Sequence, residues 1–304
     1  MGAELFEQAG LAFGHGTDNA LDESAALVLH ELGIGYDQPD EVLDAELDDA
    51  ACLRVTALLE RRVSSRKPAA YLLNEARFAG LTFYVDERVL VPRSPIAELV
   101  EYGFAPWIDP QRVGKVLDLC CGSGCIGIAC AYAFPDARVD MADLSADALA
   151  VAGENIRRHH LESRVTAAES NLFAGLTAAR YDIIVSNPPY VPQQEVLELP
   201  AEFQHEPALG LVAGTDGLDI VCVILDEAAD YLADDGILVV EVGHSQQRLV
   251  EQFPGVPFVW LEFEYGGEGV FMLESARLRE HAQTFRQVAV RRGLVSGSRD
   301  EVTD

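Results

Sequence analysis

Val116-Leu117-Asp118-Leu119-Cys120-Cys121-Gly122-Ser123-Gly124-Cys125-Ile126-Gly127 reads as a strand, a glycine turn and the start of a helix. The glycines let the backbone approach a ligand closely and leave helix N–H groups free at the turn. Gly122, Gly124 and Gly127 match the G-x-G-x-x-G spacing of dinucleotide sites, a weak signal taken alone. Outward from this turn the chain alternates. Candidate strands cover 115–120, 138–142, 165–169, 181–186 and 236–242, with helical stretches between most of them, notably 218–232. Such alternation implies a mostly parallel sheet with helices on both faces. Near the end, 258–264 and 270–273 flank Gly266-Gly267-Glu268-Gly269, an antiparallel hairpin closing the sheet. The expected class is α/β and Rossmann-like.

Two acids refine the ligand. Asp118 ends the first strand, where it would repel a pyrophosphate and suit the cationic amino group of a methionine-like moiety. Asp143 ends the next strand, where it can accept from ribose hydroxyls or cap the helix that follows. These two roles are compatible. A ribose, an ammonium group and no phosphate describe S-adenosylmethionine, and Asp118 disfavours a nicotinamide cofactor.

Asn187-Pro188-Pro189-Tyr190 follows the apolar run Tyr181-Asp182-Ile183-Ile184-Val185-Ser186. Two prolines cannot continue a strand, so the chain leaves the sheet at Asn187. A side-chain amide is then held at a sheet's carboxyl edge, where open α/β sheets bind ligands. The prolines lack N–H donors, so the loop is stiff and rich in carbonyl acceptors. Such a corner suits a substrate that brings an NH2 group. In isolation the tetrapeptide would be read as a turn signal.

Together these residues resemble the class I S-adenosylmethionine-dependent methyltransferases, over roughly residues 20 to 275. Asn187-Pro188-Pro189-Tyr190 looks like their motif for methylating exocyclic or amide nitrogens. Within the group the chain is similar to the protein-glutamine N5-methyltransferases. Val91-Pro92-Arg93-Ser94-Pro95-Ile96, His205-Glu206-Pro207, Gly214-Thr215-Asp216-Gly217-Leu218 and Gly266-Gly267-Glu268-Gly269 look like the branch acting on large-subunit ribosomal protein three. Release-factor enzymes usually carry Pro-Arg-Pro-x-Thr-Glu after the hairpin. The resemblance implies a cofactor site at Asp118, Cys120, Gly122, Gly124, Asp143, Leu144, Asn171, Leu172 and Asn187. Asn171 stands where the family commonly has an acid near the adenine, and Leu172 could pack on the purine. For substrate it implies Asn187 and Pro188 as amide acceptors, with Pro189 and Tyr190 walling the pocket, and no metal. The implied partner is a basic ribosomal protein of the large subunit.

Composition agrees with an ordinary globular chain of 304 residues, 49% hydrophobic and 24% charged. Fifty acids against twenty-two basic residues give a formal charge of −28. That surface repels phosphate backbones, which weighs against the rival reading of an adenine N6-type nucleic-acid methyltransferase, and attracts basic partners. A salt-rich or GC-rich background predicts the same composition. A release-factor enzyme and a cofactor-binding module without turnover remain alternatives. No G-x-S-x-G elbow supports a hydrolase. The N-terminus lacks a signal peptide, so a soluble, cytoplasmic protein is expected. Cys120, Cys121, Cys125 and Cys130 lack the paired spacing and nearby histidines of a metal site, and read as buried thiols packing the turn.

Residues 1–76 read as a helical substrate-recognition domain. One helix is expected to bury Leu21, Ala25, Leu29 and Leu32, and another Leu53, Ala57 and Leu58. Arg61, Arg62, Arg66 and Lys67 look like a solvated helix end. Residues 77–95 should form a hairpin turning at Asp86-Glu87, then a rigid Pro-rich linker. Residues 96–282 form the catalytic domain, and 283–304 a frayed tail.

Overall fold

The apolar runs of the second half are short, β-branched and bounded by turn residues, so they pair as strands instead of coiling. In the computed structural model, which describes residues 1–35, 46–177 and 179–296, the chain opens with helices α1 (Gly2–Gln8), α2 (Ala20–Glu31), α3 (Asp49–Ser65) and α4 (Ala69–Leu73). A small hairpin, β1 (Ala76–Phe78) and β2 (Leu81–Phe83), leads to α5 (Ile96–Glu101). Alternation follows: β3 (Lys115–Leu119), α6 (Cys125–Ala133), β4 (Arg138–Asp143), α7 (Ala146–Arg158), β5 (Val165–Glu169) and β6 (Tyr181–Ser186). Then come α8 (Gln193–Val196), α9 (Asp219–Tyr231), β7 (Leu232–Glu241) and α10 (Gln246–Gln252). β8 (Val259–Trp260), β9 (Val270–Glu274), α11 (Ser275–Glu280) and α12 (Ala282–Arg291) complete it.

The main sheet has the order β5-β4-β3-β6-β7-β9-β8. Its first five strands run parallel, and β9 is antiparallel to both β7 and β8. Side-chain alternation divides the core. Val116, Val139, Ile183, Val185 and Val239 face α5, α6 and α7, whereas Leu117, Leu119, Ile184, Leu238 and Val240 face α9 to α12. Strand order reverses between β3 and β6, so the crevice for a ligand opens over their carboxyl ends.

Four expectations need correction. The hairpin turns at Ala79-Gly80, both with positive φ (46° and 72°), and pairs Phe78 with Leu81. Two left-handed residues match strand twist; Asp86 instead binds the Arg88 guanidinium at 2.6 Å. In α2 and α3 the buried faces are Ala20, Glu23, Ser24 and Leu27, and Ala51, Val55, Leu59 and Arg62. Leu21 and Leu53 lie outside, 66% and 72% exposed. The faces were misread because each interface is centred on a charged residue, which periodicity scores as exterior. The basic cluster is accordingly no solvated helix end: Arg62 is fully buried, its Nε 2.7 Å from Glu23. Finally, the tail from 283 is helical through α12, with Phe285, Val288 and Ala289 buried, and residues 297–304 lie outside the described ones.

Glu206 fastens the Pro-rich segment to the body. It accepts the Val91 N–H at 3.1 Å and both Arg93 nitrogens at 2.6 and 2.8 Å. It also lies 3.6 Å from His15 of the helical part. Although burial opposes ionisation, the nearby His15 ring and the Arg93 hydrogen bonds and charge outweigh it and hold the carboxyl down at about 2. A lowered folded value means this stabilisation is complete above the ordinary glutamate value of 4.5 and is lost as pH falls towards about 2. The urea-midpoint gap between wild type and Glu206→Gln should therefore narrow through that window; a constant gap would contradict it.

Candidate active site

The two segments that leave the sheet at its centre do so side by side. Leu119 of β3 pairs with Ser186 of β6, and the Ser186 hydroxyl donates to the Leu119 carbonyl at 2.8 Å. Cys120, in a left-handed turn (φ 58°), and Asn187 are therefore the next residues out, on neighbouring strands. The glycine turn and the Asn-Pro-Pro loop share one cavity as a consequence of strand register.

That cavity is lined by Cys120, Gly122, Asp143, Leu144, Asn171, Leu172, Asn187 and Pro189 among the expected residues. A Cβ at Gly122 would meet nothing within 4 Å, so its backbone lies bare. Asp143 accepts from the Gly122 and Ser145 N–H groups, both at 2.8 Å, one to each carboxylate oxygen. The helix cap is Ser145, whose hydroxyl accepts the Ala148 N–H at 3.2 Å. Each Asp143 oxygen keeps further acceptor capacity for a diol. Leu172 is fixed by the Ser170 hydroxyl, which donates to its carbonyl at 2.5 Å. Asn171 beside it is exposed.

Asp118, Gly124 and Tyr190 do not line the cavity, whereas Pro188 is buried between two residues that do, Asn187 and Pro189. Alternation turns Asp118 onto the α6 face of the sheet, where it is fully buried and accepts the Gly127 N–H at 2.8 Å. Its other oxygen has no partner, and burial pushes its carboxyl up to about 8. Asp118 thus anchors the glycine turn from beneath and lies outside the cavity lining. Gly124 and Gly127 serve packing: a Cβ would meet Met141 at 2.9 and 2.6 Å. Cys121, Cys125 and Cys130 are buried, and burial raises their thiol pKa values, so they are poor nucleophiles.

Tyr190 also departs from its expected place. Its hydroxyl donates to Glu241 at 3.0 Å, its carbonyl accepts from Ser245 at 3.0 Å, and its ring lies over Gly243. Asn187, in contrast, has an uncommitted side chain: no hydrogen bond from the described residues reaches its amide or the Pro188 carbonyl. Sequence reasoning missed Glu241. The available signal is a carboxylate directly after the wholly apolar run Ile237 to Val240, at the end of β7.

A bare glycine backbone, a diol acceptor at Asp143 and an apolar ledge at Leu172 fit the nucleoside of S-adenosylmethionine. Among the described residues, no group of three or more metal-ligating side chains is assembled.

Comparison with known proteins is concordant. Residues 104–209 match the family model for the methyltransferase small domain. Over 288 residues the chain is 50% identical to a ribosomal protein uL3 glutamine methyltransferase of Xanthomonas campestris pv. campestris, covering 95% of this chain and 93% of the relative. A protein of the same description from Bordetella pertussis is 48% identical over 271 residues, 89% of this chain and 91% of that one. Among solved structures, the hMettl16 catalytic domain bound to a MAT2A 3′UTR hairpin superposes with a TM-score of 0.51. It covers 75% of this chain and 81% of its own at 16% identity, so that likeness concerns fold alone.

Proposed function

The chain belongs to the ribosomal protein uL3 glutamine methyltransferases, and from that premise we propose how its cavity serves the reaction. The activity is S-adenosylmethionine-dependent N5-methylation of a glutamine side chain in ribosomal protein uL3, on a class I methyltransferase fold. S-adenosylmethionine, when bound, supplies an electrophilic methyl group on a sulfonium. Asp143 would hold its ribose, the Gly122 backbone its path across the turn, and Leu144, Asn171 and Leu172 its adenine.

The glutamine amide is a poor nucleophile because its nitrogen lone pair is delocalised into the carbonyl. The Asn187 oxygen and the Pro188 carbonyl accept its two hydrogens and orient it in line with the methyl donor. As the nitrogen takes the methyl group, positive charge develops on it and both acceptors bind it more strongly than in the ground state; one of its two protons then leaves to solvent. The observation that carries this reading is the uncommitted Asn187 amide beside the glycine turn. Pro189 walls the entrance. Asp118 supports the turn from below, and Tyr190 supports the loop from behind.

The partner is a ribosomal protein, and the charge of −28 suits a basic one. We place its recognition on the helical part, residues 1–76. No helix among the described residues is long and apolar enough to cross a membrane, and a ribosomal substrate supports a cytoplasmic place of action.

The test is transfer of labelled methyl groups to uL3 from a strain lacking this activity, followed by mass spectrometry. One methyl group on one glutamine is expected; label confined to nucleic acid would contradict the reading. In the same assay Asp143→Ala should weaken cofactor binding by roughly tenfold or more, since bonds to a charged acceptor are worth about 1.5–3 kcal/mol. Its turnover at saturating cofactor should fall less. Unchanged affinity would remove Asp143 from the cofactor site.

A further inference from the structure

Behind the Asn187 loop the molecule has buried a carboxylate. Glu241 ends β7, the strand beside β6, where Ser186 pairs with Val240, so Glu241 stands level with Asn187 one strand away. Its residue is only 5% exposed. The carboxylate accepts two hydroxyl hydrogens, from Ser94 at 2.5 Å and from Tyr190 at 3.0 Å. Ser94 belongs to the Pro-rich segment, whose Arg93 lines the cavity; Tyr190 belongs to the loop that begins at Asn187. Two glycines make room for Tyr190 in this position. A Cβ on Gly217 would lie 2.1 Å from its carbonyl oxygen, and one on Gly243 would lie 2.7 Å from its ring. Burying a carboxylate against two hydroxyls is unfavourable unless the geometry is fixed, so this arrangement spends stability on orientation.

We propose that Glu241 is a positioning residue for methyl transfer: acting through Tyr190 and Ser94, it sets the register of the Asn187-Pro188 acceptors against the cavity wall. This rests on the reading of Asn187 and Pro188 as amide acceptors. Glu241 touches neither cofactor nor glutamine. It fixes the loop whose misplacement by about 1 Å costs on the order of 10²-fold in rate.

The experiment compares wild type, Glu241→Gln, Tyr190→Phe and the double variant, all full-length. Turnover and KM are measured on unmethylated uL3, and affinity for S-adenosylmethionine is measured separately. Each single variant should lose roughly 10- to 100-fold in kcat, with cofactor affinity and KM for uL3 within about threefold of wild type. The double variant should be no slower than the slower single one, because both act on one contact. Tyr190→Phe removes one hydroxyl only, so it keeps the test decisive if Glu241→Gln folds poorly. Normal kcat in Tyr190→Phe, losses that multiply in the double variant, or cofactor affinity falling in step with kcat would each overturn the proposal. Asn187→Ala in the same series separates the two claims. A slow Asn187→Ala beside normal Glu241→Gln and Tyr190→Phe sinks only the positioning role, whereas a normal Asn187→Ala sinks the acceptor reading beneath it.

Discussion

Asn187→Ala is expected to lower turnover on uL3 by roughly 10²-fold or more, with the dissociation constant of S-adenosylmethionine rising by less than about tenfold. The asymmetry follows from where the amide sits. Cofactor contacts are spread over the glycine turn, Asp143, Leu144 and the Asn171-Leu172 ledge, and Asn187 is one lining residue among many. For the substrate amide it is one of two acceptors. Truncation leaves one amide hydrogen without its acceptor, and removes an acceptor whose attraction grows as nitrogen becomes positive. Asn187→Asp sharpens the point. It keeps an acceptor oxygen but adds a charge beside the sulfonium, so cofactor affinity should hold while orientation suffers. Steady-state kinetics with a cofactor titration check both variants; near-normal turnover in Asn187→Ala would remove that residue from the mechanism.

Arg62→Ala is expected to cost about 3–5 kcal/mol of stability, the range for breaking one partner out of a buried ion pair. Arg62 has no exposure, and its Nε donates to Glu23 at 2.7 Å while its Nη2 donates to the Ala12 carbonyl at 3.3 Å. Across the interface lies Glu202, 3.9 Å from Arg62 and 3.0 Å from Arg66. Among the described residues, truncation leaves Glu23 buried with only the Thr17 hydroxyl, 3.3 Å away. Glu202 retains Arg66, so the loss centres on Glu23. Thermal unfolding should move down by roughly 10 °C for a chain of this size. Replacing both partners by methionine should recover a large part, because no charge is then stranded. A Glu23→Met/Arg62→Met protein as unstable as Arg62→Ala would show that a stranded Glu23 charge is not the source of the loss.

The sheet was legible because its strands are apolar, short and bounded: Ile183, Ile184 and Val185 are fully buried where alternation and the prolines after them required. The cofactor turn was legible for a related reason, since glycine spacing reports backbone conformation directly. What failed was the placement of charge. Helix faces centred on Glu23 and Arg62 could not be found by hydrophobic periodicity, because the pairing that licenses their burial spans 39 residues of sequence. Asp118 looks like a ligand contact from its place at a strand end, but the alternation set by Leu117 and Leu119 turns it to the opposite side of the sheet. Tyr190 looks like a pocket wall from sequence because nothing local announces Glu241, 51 residues further on, as the partner of its hydroxyl. Long-range polar pairs therefore decide the details of this site, and single-sequence patterns register only their local halves.

The account turns on an amide held by Asn187 and Pro188 facing the methyl donor. A crystal structure with S-adenosylhomocysteine and a glutamine-bearing uL3 peptide measures this directly. The glutamine nitrogen should lie within hydrogen-bond distance of both the Asn187 oxygen and the Pro188 carbonyl, with its open side towards the sulfur across a gap that a methyl group fills. A glutamine seated elsewhere, or a sulfur on the far side of the glycine turn from Asn187, would contradict it.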